Sequence, residues 1–240
     1  MTIADHLQQV QERIADACAR ARRNASEITL VAVSKTHPPE VILEAVKAGL
    51  QHFGENRVEE ASIKIPQVMS QTDTTLRWHM IGHIQSRKAK LIPPLFDVVH
   101  SVDDVKLAER LSASAVETGK TLDVLLQFNV SGEETKSGFH AVNWEKDAAI
   151  REQVWRNCQQ ILQLPGLKVR GLMTMAPIVE DMEQARHVSA SLAALRSALS
   201  ESLKIALPDL SMGMTDDYPV AIEEGATLIR VGRAIFGERL

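Results

Sequence analysis

A chain of 240 residues, 45% hydrophobic and 24% charged, can bury a substantial core and has the composition of an ordinary globular protein. A formal charge of -4 and an aromatic content of only 4% argue against a surface built to track a nucleic-acid backbone. No apolar stretch reaches membrane length, and the opening Thr2-Ile3-Ala4-Asp5-His6 lacks the apolar segment of a signal peptide. A cytoplasmic protein with no membrane and no nucleic-acid partner is therefore expected.

Ile3, Leu7, Val10, Ile14, Ala17 and Ala21 recur every three or four positions, which is one apolar stripe on a helix running to about Arg23. The run Ile28-Thr29-Leu30-Val31-Ala32-Val33 shows no polar alternation and reads as a buried strand. It exits through Ser34-Lys35-Thr36, and Pro38 and Pro39 then open a helix with Thr36 or His37 near its N-cap. That helix spans 38–50 and closes at Gly49. Residues 51–56 form a short strand and exit, and the weaker helix that follows should stop before Pro66. A third strand covers 75–82, then come a short basic helix and a fourth strand at 96–101. Ser101 and Asp104 have capping spacing for a helix ending near Val116.

Residues 122–130 give a fifth strand. The helix after it, from about Asn143 to Leu164, carries Val154, Cys158, Ile161 and Leu162 on one face. Strands at 167–173, 207–212 and 226–231 complete the series. Between them lie a helix striped by Val188, Leu192, Leu195 and Leu199 and another over about 216–224. Strand and helix alternating over short connections predict a parallel α/β sheet. Eight repeats in this length predict a closed (β/α)8 TIM barrel with an additional N-terminal helix, one domain over residues 1–240. Cys18 and Cys158 both fall in helical patterns and read as small buried hydrophobes in a reducing compartment.

Chemistry in such a barrel sits where the strands end. By position alone Lys35 could be a solvated lysine at a strand exit, but the last two exits give it company. Leu210-Ser211-Met212-Gly213-Met214-Thr215 and Arg230-Val231-Gly232-Arg233 each carry a glycine that lets backbone N–H groups approach an anion, at the usual phosphate position of this architecture. Arg230 lies two residues before Gly232 and points the same way. First and last barrel strands are neighbours, so lysine, arginine and phosphate cradle share one mouth. A lysine amine beside a phosphate site suggests a phosphorylated carbonyl compound held as a Schiff base: pyridoxal 5'-phosphate, or a phosphosugar in an aldolase. No metal-binding spacing occurs. His79 and His83 are four apart but straddle Gly82, Lys136-Ser137-Gly138 lacks the glycine of a nucleotide loop, and Ser137 lacks a nucleophile-elbow setting.

Several segments carry a resemblance over nearly the whole chain: Ala32-Val33-Ser34-Lys35-Thr36, Phe53-Gly54-Glu55-Asn56, Trp78-His79-Met80-Ile81-Gly82-His83-Ile84-Gln85-Ser86, Val99-His100-Ser101-Val102-Asp103, Lys136-Ser137-Gly138-Phe139, Gly171-Leu172-Met173, Leu210-Ser211-Met212-Gly213-Met214 and Val231-Gly232-Arg233-Ala234-Ile235-Phe236-Gly237. In these it closely resembles the pyridoxal phosphate homeostasis proteins, the YggS/PROSC family, whose fold is similar to the N-terminal barrel domain of alanine racemase. Arg57 stands where that family often has tyrosine, and Arg87 where asparagine is usual.

The resemblance implies a protein that binds pyridoxal 5'-phosphate as an aldimine of Lys35 and takes part in its intracellular homeostasis, with effects on amino-acid and keto-acid balance. It further implies that Ser211, the backbone around Gly232 and Arg233, and Thr215 hold the phosphate. Arg230 would face the pyridine nitrogen, with Asn56 and His83 as second contacts. No residue is assigned a catalytic or metal-binding role. The expected state is a monomer that meets pyridoxal-phosphate-dependent apoenzymes transiently. The alternatives are a low-activity amino-acid racemase, a Schiff-base aldolase and a pure interaction protein. A racemase needs a second acid or base on the other ligand face, and the single tyrosine, Tyr218, falls after the seventh strand, beside Pro219.

Overall fold

The computed structural model describes residues 1–133, 136–177 and 181–237. Its centre is a parallel sheet in which β1 (Thr29–Val33), β2 (His52–Glu55), β3 (Arg77–Met80), β4 (Val98–Val102), β5 (Leu122–Asn129), β7 (Leu167–Met173), β8 (Asp209–Ser211) and β9 (Leu228–Val231) follow one another around a closed ring. Closure comes from the ladder of β1 on β9, where Val31 pairs with Arg230 and Ala32 with Val231. A ninth strand, β6 (Phe139–His140), pairs with β5 outside the ring. The eight-stranded barrel expected from the strand–helix alternation is thus present, and β6 is an addition too short to show a period of its own.

The covering helices are α2 (Pro39–Lys47), α3 (Val58–Met69), α4 (Ile92–Leu95), α5 (Val105–Glu117), α6 (Ala148–Leu162), α7 (Arg186–Leu203), α8 (Tyr218–Glu223) and α9 (Arg233–Phe236). Ahead of them comes α1 (Ile3–Arg20), which buries Leu7, Val10, Ile14, Ala17 and Cys18. It lies on α8 and α9, where His6 Nδ1 is 3.0 Å from the Ile235 carbonyl and Arg23 donates to the carbonyls of Ile222 and Ala226, both at 2.8 Å.

Local signals were overridden at several places. Pro66 lies inside α3, which continues to Met69 because Ile65 and Val68 on either side of it are buried. That burial outweighs a lost backbone bond. Pro38, with no side-chain cap, occupies the N-cap of α2, in place of Thr36 or His37. Asp104 caps α5 by accepting from the Leu107 amide at 2.6 Å, while Ser101 remains in β4 and donates to the Gly82 carbonyl at 2.6 Å. Helix α6 starts later than its apolar pattern suggested, at an Asp147 cap that accepts from Ala149 and Ile150.

Side chains inside the ring separate from those beneath the helices. Val31, Val98, Leu125, Met173 and Leu228 form an interior apolar cluster distinct from the large core between strands and helices. The polar residues His79, His100, Ser211 and Arg230 share that interior, all nearly or fully buried. His100 on β4 lies 2.8 Å from Ser211 on β8, and those strands are not neighbours, so the bond crosses the barrel.

Candidate functional site

At the carboxyl end of β1 the chain turns sharply. Thr36 has φ +68°, a left-handed conformation that a β-branched residue adopts only under constraint. The constraint is visible: the Thr36 amide donates to Glu60 Oε1 at 2.6 Å, and His37 N donates to the Ser34 carbonyl at 3.1 Å. Beneath the turn, Lys64 Nζ donates to the Ser34 carbonyl (2.9 Å), to Glu55 Oε1 (3.0 Å) and to Glu60 Oε1 (2.5 Å). Ser34 Oγ donates to Glu55 Oε1 at 2.7 Å. Glu55 is fully buried, and burial pushes its carboxyl up from the usual range while Lys64 and Ser34 oppose that shift. This clamp sets the backbone on both sides of Lys35, which is itself half-buried.

Next to it stands the exit of β9. Arg230 points into the barrel, 4% exposed, with Nη1 donating to Ser211 Oγ and Nη2 to the Thr174 carbonyl at 2.9 Å. Among the described residues it forms no ion pair. Burial lowers its pKa to about 10, and Asp217 is the carboxylate that pulls the other way. Asp217 in turn binds the Met214 amide at 2.6 Å and so shapes the Met214–Thr215 turn. Gly213 adopts φ +91°, and a Cβ there would lie 2.8 Å from the Tyr218 Cα, so glycine lets the β8 exit lie flat on α8. Gly232 follows β9 directly and lies against Val33. His37 stacks on Phe236 of α9 with ring centroids 4.8 Å apart, which ties the β1 exit to the β9 exit.

The ring order therefore brings Lys35, Asn56, Gly232, Arg233 and Thr215 to adjacent strand exits. Asn56 and Thr215 are half-buried. Arg233 is exposed and pairs with Asp216, joining the last two exits. His83 lies on the rim, exposed, with Nδ1 2.9 Å from the Oδ2 of half-buried Asp103. Gly82, before it, is forced by packing: a Cβ would stand 2.2 Å from the Asn56 carbonyl oxygen. Ser211, expected at the phosphate, ends β8. It is fully buried and its hydroxyl is engaged by His100 and Arg230. Tyr218 is fully buried, with the Arg13 guanidinium 5.1 Å over its ring. Among the described residues no group of three or more His, Cys, Asp or Glu is placed to hold a metal.

Sequence reasoning missed Lys64, Glu60, Thr174 and Asp217. Lys64 and Glu60 look like a solvated i, i+4 pair, and nothing local marks them as turned inward. His100 was visible only as part of a matching segment.

A barrel with an interior arginine at the last strand and a lysine at the first defines the class, and the comparisons agree. Residues 6–240 match the family described as alanine racemase, N-terminal domain. The pyridoxal phosphate homeostasis protein of Aquifex aeolicus is 41% identical over 239 residues, covering 100% of this chain and 99% of that protein. That of Pseudomonas aeruginosa is 42% identical over 239 residues, with coverage of 99% and 96%. The chain belongs to the alanine racemase N-terminal domain family and, within it, to the pyridoxal phosphate homeostasis proteins. Among solved structures, PipY of Synechococcus elongatus with pyridoxal phosphate bound superposes with a TM-score of 0.78 at 37% identity, covering 93% of this chain and 100% of that one. Alanine racemase of Clostridium difficile shares the fold at 13% identity, with a TM-score of 0.72 over 98% of this chain and 57% of that enzyme.

Proposed function

We propose that this protein binds pyridoxal 5'-phosphate covalently at Lys35 Nζ and takes part in its intracellular homeostasis, acting as a monomeric carrier in the cytoplasm with effects on amino-acid and keto-acid balance. The observation that carries the reading is Arg230: a buried guanidinium with donors to spare and no carboxylate within ion-pair distance among the described residues, one strand away from the Lys35 exit. Such a group suits a ligand that presents an acceptor to the barrel interior. When bound, pyridoxal 5'-phosphate supplies an aldehyde that condenses reversibly with amines and a phosphate dianion.

The chain's own residues supply the rest. The Lys64–Glu55–Ser34 clamp holds the Lys35 backbone in place. Thr215 and the backbone around Gly232 and Arg233 receive the phosphate, where amides at a strand-to-helix turn favour an anion. Ser211 joins them in holding the phosphate and also accepts from Arg230, which it helps to align. Asn56 and His83 line the remaining side. Arg230 is donor-only, so facing a pyridine nitrogen it favours the unprotonated ring, a poor electron sink. The protein then stores a reactive aldehyde without promoting transamination or decarboxylation, and passes it to an amine or transiently docked apoenzyme. Tyr218, buried beneath α1, supplies no second base, which supports a carrier over a racemase.

The test is Lys35→Ala. The variant should fold, lose the visible absorption of the bound cofactor, and leave no covalent adduct after borohydride reduction. Peptide mapping of the reduced wild type to a different lysine would remove the assignment. Incubation of the loaded protein with single L-amino acids separates the second reading. D-isomer formation at about 1 per second or faster, within the enzymatic range, favours a racemase.

A further inference from the structure

At the carboxyl mouth an exposed imidazole is held by a buried carboxylate. His83 Nδ1 lies 2.9 Å from Asp103 Oδ2, and the two side chains are 60% and 8% exposed. Asp103 Oδ1 is buried with no hydrogen-bond partner among the described residues, which leaves His83 as the side chain that answers this carboxylate. Burial pushes the Asp103 carboxyl above its usual range, His83 pulls it back, and Asp104 adds a further push.

The segment carrying His83 is fixed on both sides. Ser101 Oγ donates to the Gly82 carbonyl at 2.6 Å, and Gly82 lies so close to Asn56 that no side chain fits between them. His83 follows β3, Asn56 follows β2, and β2 runs beside β1, with the Ser34 amide donating to the Gly54 carbonyl at 3.0 Å. Neighbouring strands lie about 4.8 Å apart, so the Lys35 and His83 exits are about 10 Å apart at the backbone, a span that two side chains and a small carbonyl compound can fill. Other groups are committed elsewhere. His52, His79 and His100 are hydrogen-bonded to one another through the barrel interior, in a line that ends on Ser211. His37 stacks on Phe236, Lys64 is held in its clamp, and the guanidiniums of Arg230 and Arg233 stay protonated.

We propose that His83, positioned by Asp103, carries protons for the capture and release of a carbonyl ligand at Lys35 Nζ. This role rests on the reading of Lys35 given above. A carboxylate only accepts, so Nδ1 holds the proton of the neutral ring and Nε2 keeps a lone pair on its exposed side. In capture, Nε2 takes one proton from the Lys35 ammonium, and the freed amine adds to the carbonyl carbon. A second Nζ proton passes to the oxygen. That oxygen then receives the imidazolium proton and leaves as water while the C–N bond becomes double. The third proton stays on nitrogen, and His83 ends as it began. Release is the same path reversed, with water as co-reactant. A group acting this way speeds both directions by one factor and leaves the equilibrium alone. Asp103 acts through His83, by fixing its tautomer and steadying the imidazolium.

The test uses the full-length chain. In unloaded protein labelled with 15N at histidine, the neutral His83 ring should be the Nδ1–H tautomer. In Asp103→Asn, whose amide can donate, it should shift toward Nε2–H. A wild-type ring found as Nε2–H would overturn the positioning. With pyridoxal 5'-phosphate as probe, stopped-flow absorbance follows uptake and rapid dilution follows release. His83→Gln and Asp103→Asn should each slow both rates by the same factor, about a hundredfold, with the dissociation constant within about twofold of wild type. The double variant should be no slower than His83→Gln, since the two residues act as a unit. A weakened dissociation constant with unchanged uptake would make His83 a binding contact, and unchanged rates would make it a solvated rim histidine. Either result sinks the proposal, as would a His37→Gln variant showing the loss in its place. His83 is exposed and not needed for folding, so His83→Gln decides the matter should Asp103→Asn not fold. An adduct that maps, after borohydride reduction, to a lysine other than Lys35 would remove the reading of Lys35 and this role with it, while the tautomer result would stand.

Discussion

Lys64 looks, from sequence, like one more charge on a helix, yet it is 7% exposed at its side chain and sits between two carboxylates. Replacing it by methionine would preserve volume but leave Glu55 buried without its counter-charge, at a cost of about 3–5 kcal/mol. The pH dependence has a definite sign. Glu55 has a folded pKa above its unfolded value, so its folded form loses stability as pH rises through that interval, and removing Lys64 widens it. Glu60, held below its usual value in part by Lys64, loses a contribution that is present above its unfolded pKa. Both effects make the Lys64→Met deficit largest near neutral pH and smaller on acidification. Urea denaturation at several pH values measures it, and a pH-independent deficit would mean that Glu55 finds another partner. Lys35 was legible because a strand exit in a parallel sheet is a place where chemistry gathers. Lys64 was not, because its role depends on which face of α3 meets β2.

At the scale of elements, α1 is structural cover. Its stripe buries Leu7, Val10 and Ile14, and its end is fastened by Arg23 to two carbonyls at the close of α8. Ile14→Ala should cost about 2–5 kcal/mol as a buried large-to-small change. Deleting residues 1–23 should lower the melting midpoint or cause aggregation, by uncovering α8 and α9 next to the β9 exit. A truncated chain that melts with the full-length protein would show that the helix serves something other than the barrel. The stripe itself was readable at a period of 3.6, because an amphipathic helix writes its buried face locally. What it covers was not readable, since α8 and α9 lie at the other end of the chain.

For the molecule as a whole, the two cysteines test how tightly the barrel closes. Cys18 is on the buried face of α1 and Cys158 on that of α6, each nearly fully buried. Burial raises both thiols, Cys158 to about 12. Neither should react with an aromatic disulfide reagent in the native state, and two thiols per chain should appear on unfolding. A native thiol titrating quickly would indicate opening of the helix layer over the strands. Among the described residues no helix is long and apolar enough to cross a membrane.

By itself the sequence determined the alternation of strand and helix, the eightfold barrel, the N-terminal stripe and the placement of Lys35 and Gly232 at strand exits, because burial period and strand exits are local properties. It misjudged Pro66 and the α5 cap, where packing or a neighbouring acceptor, the Gly82 carbonyl, outweighed a local rule. Only the tertiary structure decided that Ser211 turns inward to Arg230, that Lys64 braces the Lys35 turn, and that three histidines from β2, β3 and β4 line up through the barrel. Those contacts are fixed by strand register and ring closure. A shift of one residue in a parallel ladder would turn each of these side chains to the other face of the sheet.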